Sequence, residues 1–183
     1  MKAKKVIGFV GMPASGKSTA LEVARQWGPV VTMGDVVRAA IRAEGQDITP
    51  ENLRAMATHL RELNGSQAIA IECVRQIEES EEDIVFVDGL RSLAEVEEFR
   101  ATWKFPVIAI VARDEDRHQW LAARGREDDA QEEEKIRQRD EQELALGIAE
   151  VISSADYTID NHGTIEELQT SCGQVIQEVI DNY

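Results

Sequence analysis

A short glycine-rich segment contains the clearest chemistry in this sequence. Residues 11–18 read Gly-Met-Pro-Ala-Ser-Gly-Lys-Ser and match the pattern G-x-x-x-x-G-K-[ST] at every fixed position. Glycines let backbone N–H groups turn inward around phosphate oxygens, and a following helix directs the positive end of its dipole at the same point. Lys17 adds a positive charge for the β- and γ-phosphates, and the Ser18 hydroxyl can ligate Mg²⁺. The segment is therefore predicted to be a phosphate-binding loop, or P-loop.

The sequence on either side of this loop has the pattern that the motif requires. Residues 5–10 form a short apolar run, which is typical of a strand buried on both faces. Residues 17–27 repeat apolar side chains near the helical period until Gly28 and Pro29 end the pattern. A strand, a loop and a helix in this order argue against a chance match in a glycine-rich turn. The predicted nucleotide contacts in this region are Gly11, Pro13, Ala14, Ser15, Gly16, Lys17, Ser18 and Thr19.

Strands and helices alternate along the rest of the chain. The apolar runs predict strands at 5–10, 30–33, 84–87, 107–112 and 157–160. Helical patterns cover 17–27, 35–43, about 50–79 with an interruption near Asn64-Gly65, 93–102, 116–123, 131–153 and 164–180, and Thr49 and Thr164 are predicted N-caps. This order predicts an α/β fold of three layers, a five-stranded parallel sheet with helices on both faces. The length of 183 residues fits a single domain over residues 1–183.

Composition excludes several classes of protein. The chain has 35 acidic and 20 basic side chains and a formal net charge of −15, which argues against a general nucleic-acid binder. No apolar run approaches the ~20 residues that span a bilayer, and the start Met-Lys-Ala-Lys-Lys leads into a strand without a signal-peptide core. We therefore expect a soluble, cytoplasmic protein with no membrane partner.

A single acidic residue after the third predicted strand suggests a metal site. Asp88 follows four apolar residues, at the place where P-loop proteins put the carboxylate that orients magnesium and its water. Capping of a helix or turn is the alternative use of such an aspartate. A GTPase should show an Asn-Lys-x-Asp motif after the fourth strand, and the sequence has none. ATP with Mg²⁺, held by Ser18 and Asp88, is the expected ligand.

Two further segments resemble a known family. Met33-Gly34-Asp35-Val36-Val37-Arg38-Ala39-Ala40 is similar to the Thr-Gly-Asp-x-x-Arg segment of adenylate kinases and other nucleoside monophosphate kinases. Asp88-Gly89-Leu90-Arg91 resembles their Asp-Gly-Phe-Pro-Arg, although the arginine is one residue closer to the aspartate and the proline is missing. The resemblance implies that Arg38 and Arg91 hold the phosphate of an acceptor.

Asp35 has two open uses under this resemblance. If the acceptor is a phosphate, no general base is needed and Asp35 acts through magnesium-bound water. If the acceptor is a hydroxyl, as in dephospho-CoA, a nearby aspartate can take the proton.

The arginines after the fourth predicted strand are similar to the lid of short nucleotide kinases. The segment runs over about 117–139, and the resemblance implies that Arg124, Arg126 and Arg137 act at the transferred phosphoryl group. Phosphoryl transfer spreads negative charge, and a closing lid can bring guanidinium groups to that charge while excluding water. Salt bridges along the helix surface are the alternative use of Arg137.

The resemblance covers most of the chain. Residues 155–164 look like the last strand and loop of dephospho-CoA kinases and adenylate kinases, where backbone groups meet the adenine edge, which implies a contact from Asn161. The stretch of about 45–80 occupies the place of an acceptor-binding helical insert. A solvated helix face is the expected use of Arg54, Arg61 and Arg75 there, and contact with a substrate is the alternative. The closest form, which includes residues 88–99, is an uncharacterised archaeal family of kinase-like proteins. A P-loop NTPase fold of the nucleotide kinase type is therefore expected.

The function expected from these residues is ATP-dependent phosphoryl transfer. The acceptor would be small and nucleotide-like, either a nucleoside monophosphate or a compound like dephospho-CoA. A kinase-like ATPase that regulates a macromolecular partner stays open as an alternative. So does a nucleotide-dependent binding switch, although Lys17, Asp88 and the lid arginines argue against a protein without turnover.

Overall fold

The computed structural model describes residues 4–124 and 129–183, and within them the side chains of all residues except 121–133. Its strands are β1 (Lys5–Val10), β2 (Val30–Thr32), β3 (Ile84–Asp88), β4 (Val107–Val111) and β5 (Tyr157–Asp160). They form one sheet in the order β2-β3-β1-β4-β5, and every neighbouring pair is parallel. The predicted α/β fold class with a five-stranded parallel sheet is confirmed.

Helices connect the strands and cover both faces of the sheet. They are α1 (Lys17–Ala24), α2 (Met33–Ala43), α3 (Pro50–Asn64), α4 (Ala68–Glu79), α5 (Leu93–Thr102), α6 (Asp114–Arg124), α7 (Asp129–Ala145), α8 (Ile148–Ser153) and α9 (Ile165–Asn182). In the described part of the chain, no helix is both long enough and apolar enough to cross a membrane.

Side chains of the central strand β1 alternate between two cores. Val6 and Val10 are buried on one face of the sheet, with residues of α2, α4, α5 and α8. Ile7 and Phe9 are buried on the other face, with residues of α1 and α9. A two-residue period is what an extended strand produces, because successive side chains point to opposite faces. Burial on both faces fixes the strand ends, from which the functional loops begin.

Three helix starts are fixed by side-chain caps. The Thr49 hydroxyl accepts a hydrogen bond from the Asn52 N–H at 3.2 Å, and Pro50 occupies the first turn. Thr164 forms a capping box with Glu167 at the start of α9. These two predicted caps are confirmed, and Ser92 with Glu95 forms a third at the start of α5.

The single helix predicted over 131–153 is wrong. The chain forms α7 and α8 instead, separated at Gly147, whose φ of +100° is in the left-handed region. The break allows Ile148 and Val151 of α8 to be buried against the sheet, whereas α7 is mainly polar. Residues 125–128 lie outside the described residues, and α7 begins at residue 129, two residues before the predicted helix start.

Burial of α9 can be tested by one truncation. Ile176 is fully buried against the sheet, so Ile176→Ala should lower the free energy of unfolding by about 2–5 kcal/mol through lost burial and a residual cavity. Urea unfolding measures this change. Glu178→Ala, on the exposed face of the same helix, is the control and should shift stability by less than about 0.5 kcal/mol. Equal effects of the two variants would contradict the packing of this face.

Candidate active site

The candidate site lies at the carboxyl edge of the parallel sheet. β1 lies between β3 and β4, so the loop that follows β1 is flanked by the loops that follow both neighbours. Asp88 ends β3 and is in register with Phe9 of β1. Asn161 follows β5, and its backbone N–H donates to the Val111 carbonyl at the end of β4, at 2.7 Å. The topology therefore collects the predicted residues from distant parts of the chain.

The backbone of the P-loop has an unusual conformation. Ala14 has a φ of +61°, and it is the one non-glycine residue with positive φ in the described chain. Gly16 follows two residues later with a φ of +100°. Left-handed and right-handed residues in succession curl a backbone so that its N–H groups form a concave anion-binding nest. The loop predicted from the motif thus has the local geometry that phosphate binding needs.

The buried hydroxyl of Ser15 supports the same ligand. Ser15 is 1% exposed, and its Oγ has no hydrogen-bond partner among the described residues. A Cβ added at Gly11 would lie 2.5 Å from this oxygen, so a glycine is required beneath it. Buried polar atoms are rarely left without partners, and a phosphate oxygen would provide one. The residues present therefore fit a bound phosphate group.

Lys17 and Asp88, the two predicted residues for phosphate and metal, are in direct contact. The Lys17 ammonium donates to Asp88 Oδ1, and the two side chains are 24% and 17% exposed. Each charge is compensated by the other, and both face the end of the P-loop. Ser18, the second predicted metal ligand, is exposed on the first turn of α1. Serine and aspartate oxygens are ligands that suit Mg²⁺.

Asn161 is hydrogen-bonded to the backbone of the P-loop. Its side chain is buried, and Nδ2 donates to the Ser15 carbonyl at 3.0 Å. The resemblance implies a contact between this residue and the adenine edge, and that contact stays a prediction. The structure gives its side chain a different partner, the loop backbone.

Arg117, the first residue of the predicted lid segment, is buried against the P-loop, a contact that the sequence did not reveal. Arg117 is 1% exposed, and its Nη1 donates to the Pro13 carbonyl at 2.7 Å. Two carboxylates surround the guanidinium group: Asp114 Oδ1 and Asp140 Oδ2 each accept from Nη2 at 2.7 Å. The Asp114 spacing, three residues earlier on α6, was the visible signal for an ion pair. The other partners lie 104 and 23 residues away in sequence, so their contact depends on the fold.

A cleft of ≈ 380 Å³ lies beside the P-loop region, between α2, α3, the loop after β3 and the end of α7. Four arginines line this cleft, which we call the arginine cleft: Arg38, Arg54, Arg61 and Arg91. Apolar side chains cover much of the remaining wall: Met33, Val37, Leu53, Ala57, Ile69 and Leu146. The structure therefore brings Arg38 and Arg91 into one cleft. It also puts Arg54 and Arg61 there, whereas Arg75 pairs with Glu72 and Glu79 on the exposed face of α4.

Carboxylates accompany the cleft arginines. Arg38 Nη1 donates to Asp35 Oδ1 at 2.8 Å, in an exposed pair that solvent screens. Arg91 Nε donates to Glu143 Oε2 at 2.9 Å, and its Nη1 donates to the Gly89 carbonyl at 3.1 Å. An anionic ligand would have to compete with these carboxylates for the guanidinium groups.

Glu95 is a second residue that the sequence reasoning missed. Its side chain is fully buried and accepts from Arg61 Nη2 at 3.0 Å. It also accepts from the backbone N–H of Arg91 at 2.8 Å and of Ser92 at 3.3 Å. A buried carboxylate needs this set of donors. Glu95 therefore fixes the loop that presents Arg91.

The predicted lid arginines are only partly described. Arg124 ends α6, but its side chain is outside the description, and Arg126 lies outside the described residues. Arg137 is 62% exposed and pairs with Glu134 and Glu141 on its own helix. The hydrogen bond with Glu134 and the attraction of both carboxylates raise the pKa of Arg137 above its ordinary value. These contacts are the surface salt bridges that were its alternative use.

Comparisons with known proteins agree with this geometry. A family model described as an AAA domain matches residues 10–137. A UPF0200 protein of Methanosarcina barkeri is 41% identical over 182 residues, which are 98% of this chain and 96% of that protein. A UPF0200/UPF0201 protein of Archaeoglobus fulgidus is 43% identical over 97% of this chain, which spans only 57% of that longer protein. A crystal structure from Thermus thermophilus superposes with a TM-score of 0.60 at 21% identity, covering 97% of this chain and 98% of that one, and shares the fold.

The fold has a parallel sheet and a glycine-rich loop between its first strand and first helix. These features define the class of this protein, which is a kinase-like P-loop protein that binds nucleotides. The chain belongs to this AAA domain family and to the UPF0200 family, which has archaeal members.

Two glycines with positive φ provide a matched test of the loop. A Cβ at Gly16 would lie 2.5 Å from Asn161 Nδ2 and 2.8 Å from Leu168 Cδ2, whereas a Cβ at Gly45 meets nothing within 4 Å. Gly16→Ala should weaken binding of ATP with magnesium by about tenfold or more, because the loop must shift. Gly45→Ala should carry only the left-handed strain of about 1–2 kcal/mol and keep its affinity. Titration calorimetry measures both affinities, and equal values for the two variants would speak against the loop as the ligand site.

Proposed function

We propose that this protein is an ATP-dependent phosphotransferase that moves the γ-phosphoryl group of ATP to a small nucleotide-like acceptor. The acceptor would be a nucleoside monophosphate or a compound like dephospho-CoA. One observation carries the proposal: the loop after β3 serves both halves of the site. Asp88 contacts Lys17 of the P-loop, and Gly89 and Arg91 line the arginine cleft. Donor and acceptor groups held by adjacent residues would meet without a large rearrangement.

The donor half consists of the loop and the residues at its end. ATP with magnesium, when bound, supplies the phosphoryl group and a metal ion that stabilises its negative charge. The curled backbone of residues 11–16 provides N–H donors, and Lys17 provides a positive charge that Asp88 holds in place. Ser18 and Asp88 are the residues that would hold the metal.

The acceptor half combines positive charge with apolar surface. A volume of ≈ 380 Å³ is within the usual range of about 300–1,000 Å³ for small-molecule sites. Arg38 and Arg91 would bind an anionic group, and the apolar wall would cover the body of the molecule. Asp35 is 71% exposed, pairs with Arg38 and is not among the described residues that line the cleft. This position supports a phosphate acceptor, which needs no general base.

Catalysis would depend on position and electrostatics. The reaction needs no covalent intermediate with the protein, because the donor and acceptor can be aligned directly. Guanidinium groups that approach the transferred group would stabilise its charge in a site from which water is excluded. Arg124, Arg126 and Arg137 are proposed for this part, on a lid that closes over the reacting groups.

An acceptor screen tests the proposal. ATP with magnesium would be offered together with nucleoside monophosphates, dephospho-CoA or nucleosides, and ADP formation would be coupled to a spectroscopic readout. We expect one class of acceptor to accelerate ADP formation, with an equal amount of phosphorylated product. If every acceptor fails while slow hydrolysis of ATP persists, the small-molecule kinase is ruled out in favour of an ATPase or a binding switch.

The cleft arginines should affect the acceptor more than ATP. Arg38→Gln and Arg91→Gln each remove a charge-assisted contact of about 1.5–3 kcal/mol, so the KM for the acceptor should rise roughly 10- to 150-fold. The KM for ATP should change by less than about twofold, because neither side chain has a hydrogen bond to the P-loop in the described part of the chain. Steady-state kinetics with each substrate varied in turn separates the two constants.

Arg75→Gln is the matched control for these variants. Arg75 is exposed on α4 and bonds only to carboxylates of its own helix in the described structure. Its kinetics should match those of the unsubstituted protein. Loss of ATP affinity in the two cleft variants, with the acceptor KM unchanged, would contradict the assignment of the cleft.

A further inference from the structure

Arg117 is a charged side chain that is almost fully buried, which is unusual for an arginine. Its side chain is 2% exposed, and its guanidinium group joins three segments: Pro13 in the P-loop, Asp114 at the start of α6 and Asp140 on α7. Burying such a charge is costly unless it is paired and hydrogen-bonded. Burial alone would lower the pKa of Arg117, but hydrogen bonding and attraction from Asp140 and Asp114 raise it overall. The group therefore stays charged.

The hydrogen bond from Arg117 fixes the direction of a peptide group. The described chain has no cis peptide bonds, so the carbonyl and the N–H of each peptide unit point in opposite directions. Because the Pro13 carbonyl points at Arg117, the Ala14 N–H points away from it. Asn161 acts in the same way on the Ser15 carbonyl, which turns the Gly16 N–H away from Asn161.

The two N–H groups turned in this way are available to a ligand. Neither the Ala14 nor the Gly16 N–H donates to another protein group in the described part of the chain. They belong to the two P-loop residues with left-handed φ, +61° at Ala14 and +100° at Gly16, where the backbone curls. Arg117 and Asn161 thus hold carbonyls on the outside of the loop and leave donors for an anion.

The same arginine connects the loop to α7. Asp140 and Glu143 are three residues apart on α7, so they lie on one side of that helix. Asp140 accepts from Arg117, which holds the P-loop, and Glu143 accepts from Arg91, which lines the arginine cleft. One side of α7 is therefore hydrogen-bonded both to the arginine that holds the P-loop and to an arginine of the cleft.

We propose that Arg117 is a positioning residue that presets the P-loop backbone for phosphate and transmits the docking of α7 to it through Asp140. The role needs only nucleotide binding by the P-loop and does not depend on the identity of an acceptor. A purely structural ion pair would stabilise the fold without altering the affinity of the folded protein for nucleotide.

Two variants and one control test the proposal. Arg117→Lys keeps the charge but replaces the planar guanidinium group, which bonds to Pro13, Asp114 and Asp140 together, with a single ammonium group. The affinity for ATP with magnesium should therefore fall about tenfold or more. Asp140→Asn leaves the contacts of Arg117 with Pro13 and Asp114 intact and should weaken the same binding by roughly three- to tenfold. Arg113→Gln removes an arginine of the same region that is 65% exposed and paired with Asp116, and it should stay within about twofold of the unsubstituted protein.

Calorimetric titration with ATP and magnesium measures the affinity of each variant. Thermal unfolding of the unliganded variant measures the stability of its fold, so the two effects of a substitution are separated. The proposal is overturned if Arg117→Lys and Asp140→Asn lower Tm but bind ATP with magnesium within about twofold of the unsubstituted protein. If Arg117→Lys does not fold, Asp140→Asn decides by the same criterion.

A second readout distinguishes failure of this inference from failure of the proposed function. If the unsubstituted protein itself does not bind ATP with magnesium, the donor half of the proposed function fails. Amide hydrogen exchange of Ser15, whose N–H donates to the Met12 carbonyl at 3.0 Å across this turn, then decides the role of Arg117 in the unliganded protein. Exchange at Ser15 that is at least about tenfold faster in Asp140→Asn or Arg117→Lys supports the role, and unchanged exchange in both variants overturns it.

Discussion

The site depends on one constraint, the direction of the peptide groups between β1 and α1. In this short turn the backbone has to present N–H groups on one side, and its carbonyls must find partners on the other. Two side chains from distant parts of the chain satisfy that need, Arg117 of α6 at the Pro13 carbonyl and Asn161 after β5 at the Ser15 carbonyl. Glycine at position 16 allows the close approach of Asn161. Without these supports the motif would be a flexible glycine-rich turn.

The parallel sheet makes this arrangement possible. Strands β3 and β4 flank β1, so the loops after all three end at one edge, and two buried cores hold the strands in register. The loop after β3 then carries Asp88 to the P-loop and Arg91 to the cleft. Glu95 holds the backbone of that loop, and Glu143 holds the Arg91 side chain. Lys17, Arg61 and Arg91 are thus paired with buried or half-buried carboxylates before any ligand is present, whereas Arg38 pairs with the exposed Asp35.

Local patterns predicted much of this structure. The P-loop, its flanking elements, the position of Asp88 and the caps at Thr49 and Thr164 all depend on residues close together in sequence. The break at Gly147 was missed because apolar residues at 144, 148 and 151 keep the helical spacing across it, and burial of α8 decides the boundary. Arg117 was missed as a support of the P-loop because its partner Pro13 is 104 residues away. The roles of Arg124, Arg126 and Arg137 stay predictions.

The charge of Lys17, beside Asp88 at the end of the P-loop, provides the sharpest test of nucleotide binding by this loop. Calorimetric titration of ATP with magnesium would be compared between the unsubstituted protein and Lys17→Met, which keeps the apolar stem of the side chain and removes its charge. We expect saturable binding with one nucleotide per chain, and an affinity reduced roughly 10- to 150-fold in Lys17→Met, from the loss of a charged contact of about 1.5–3 kcal/mol. Equal affinity in the two proteins, or the absence of binding in both, would show that the loop is not the nucleotide site.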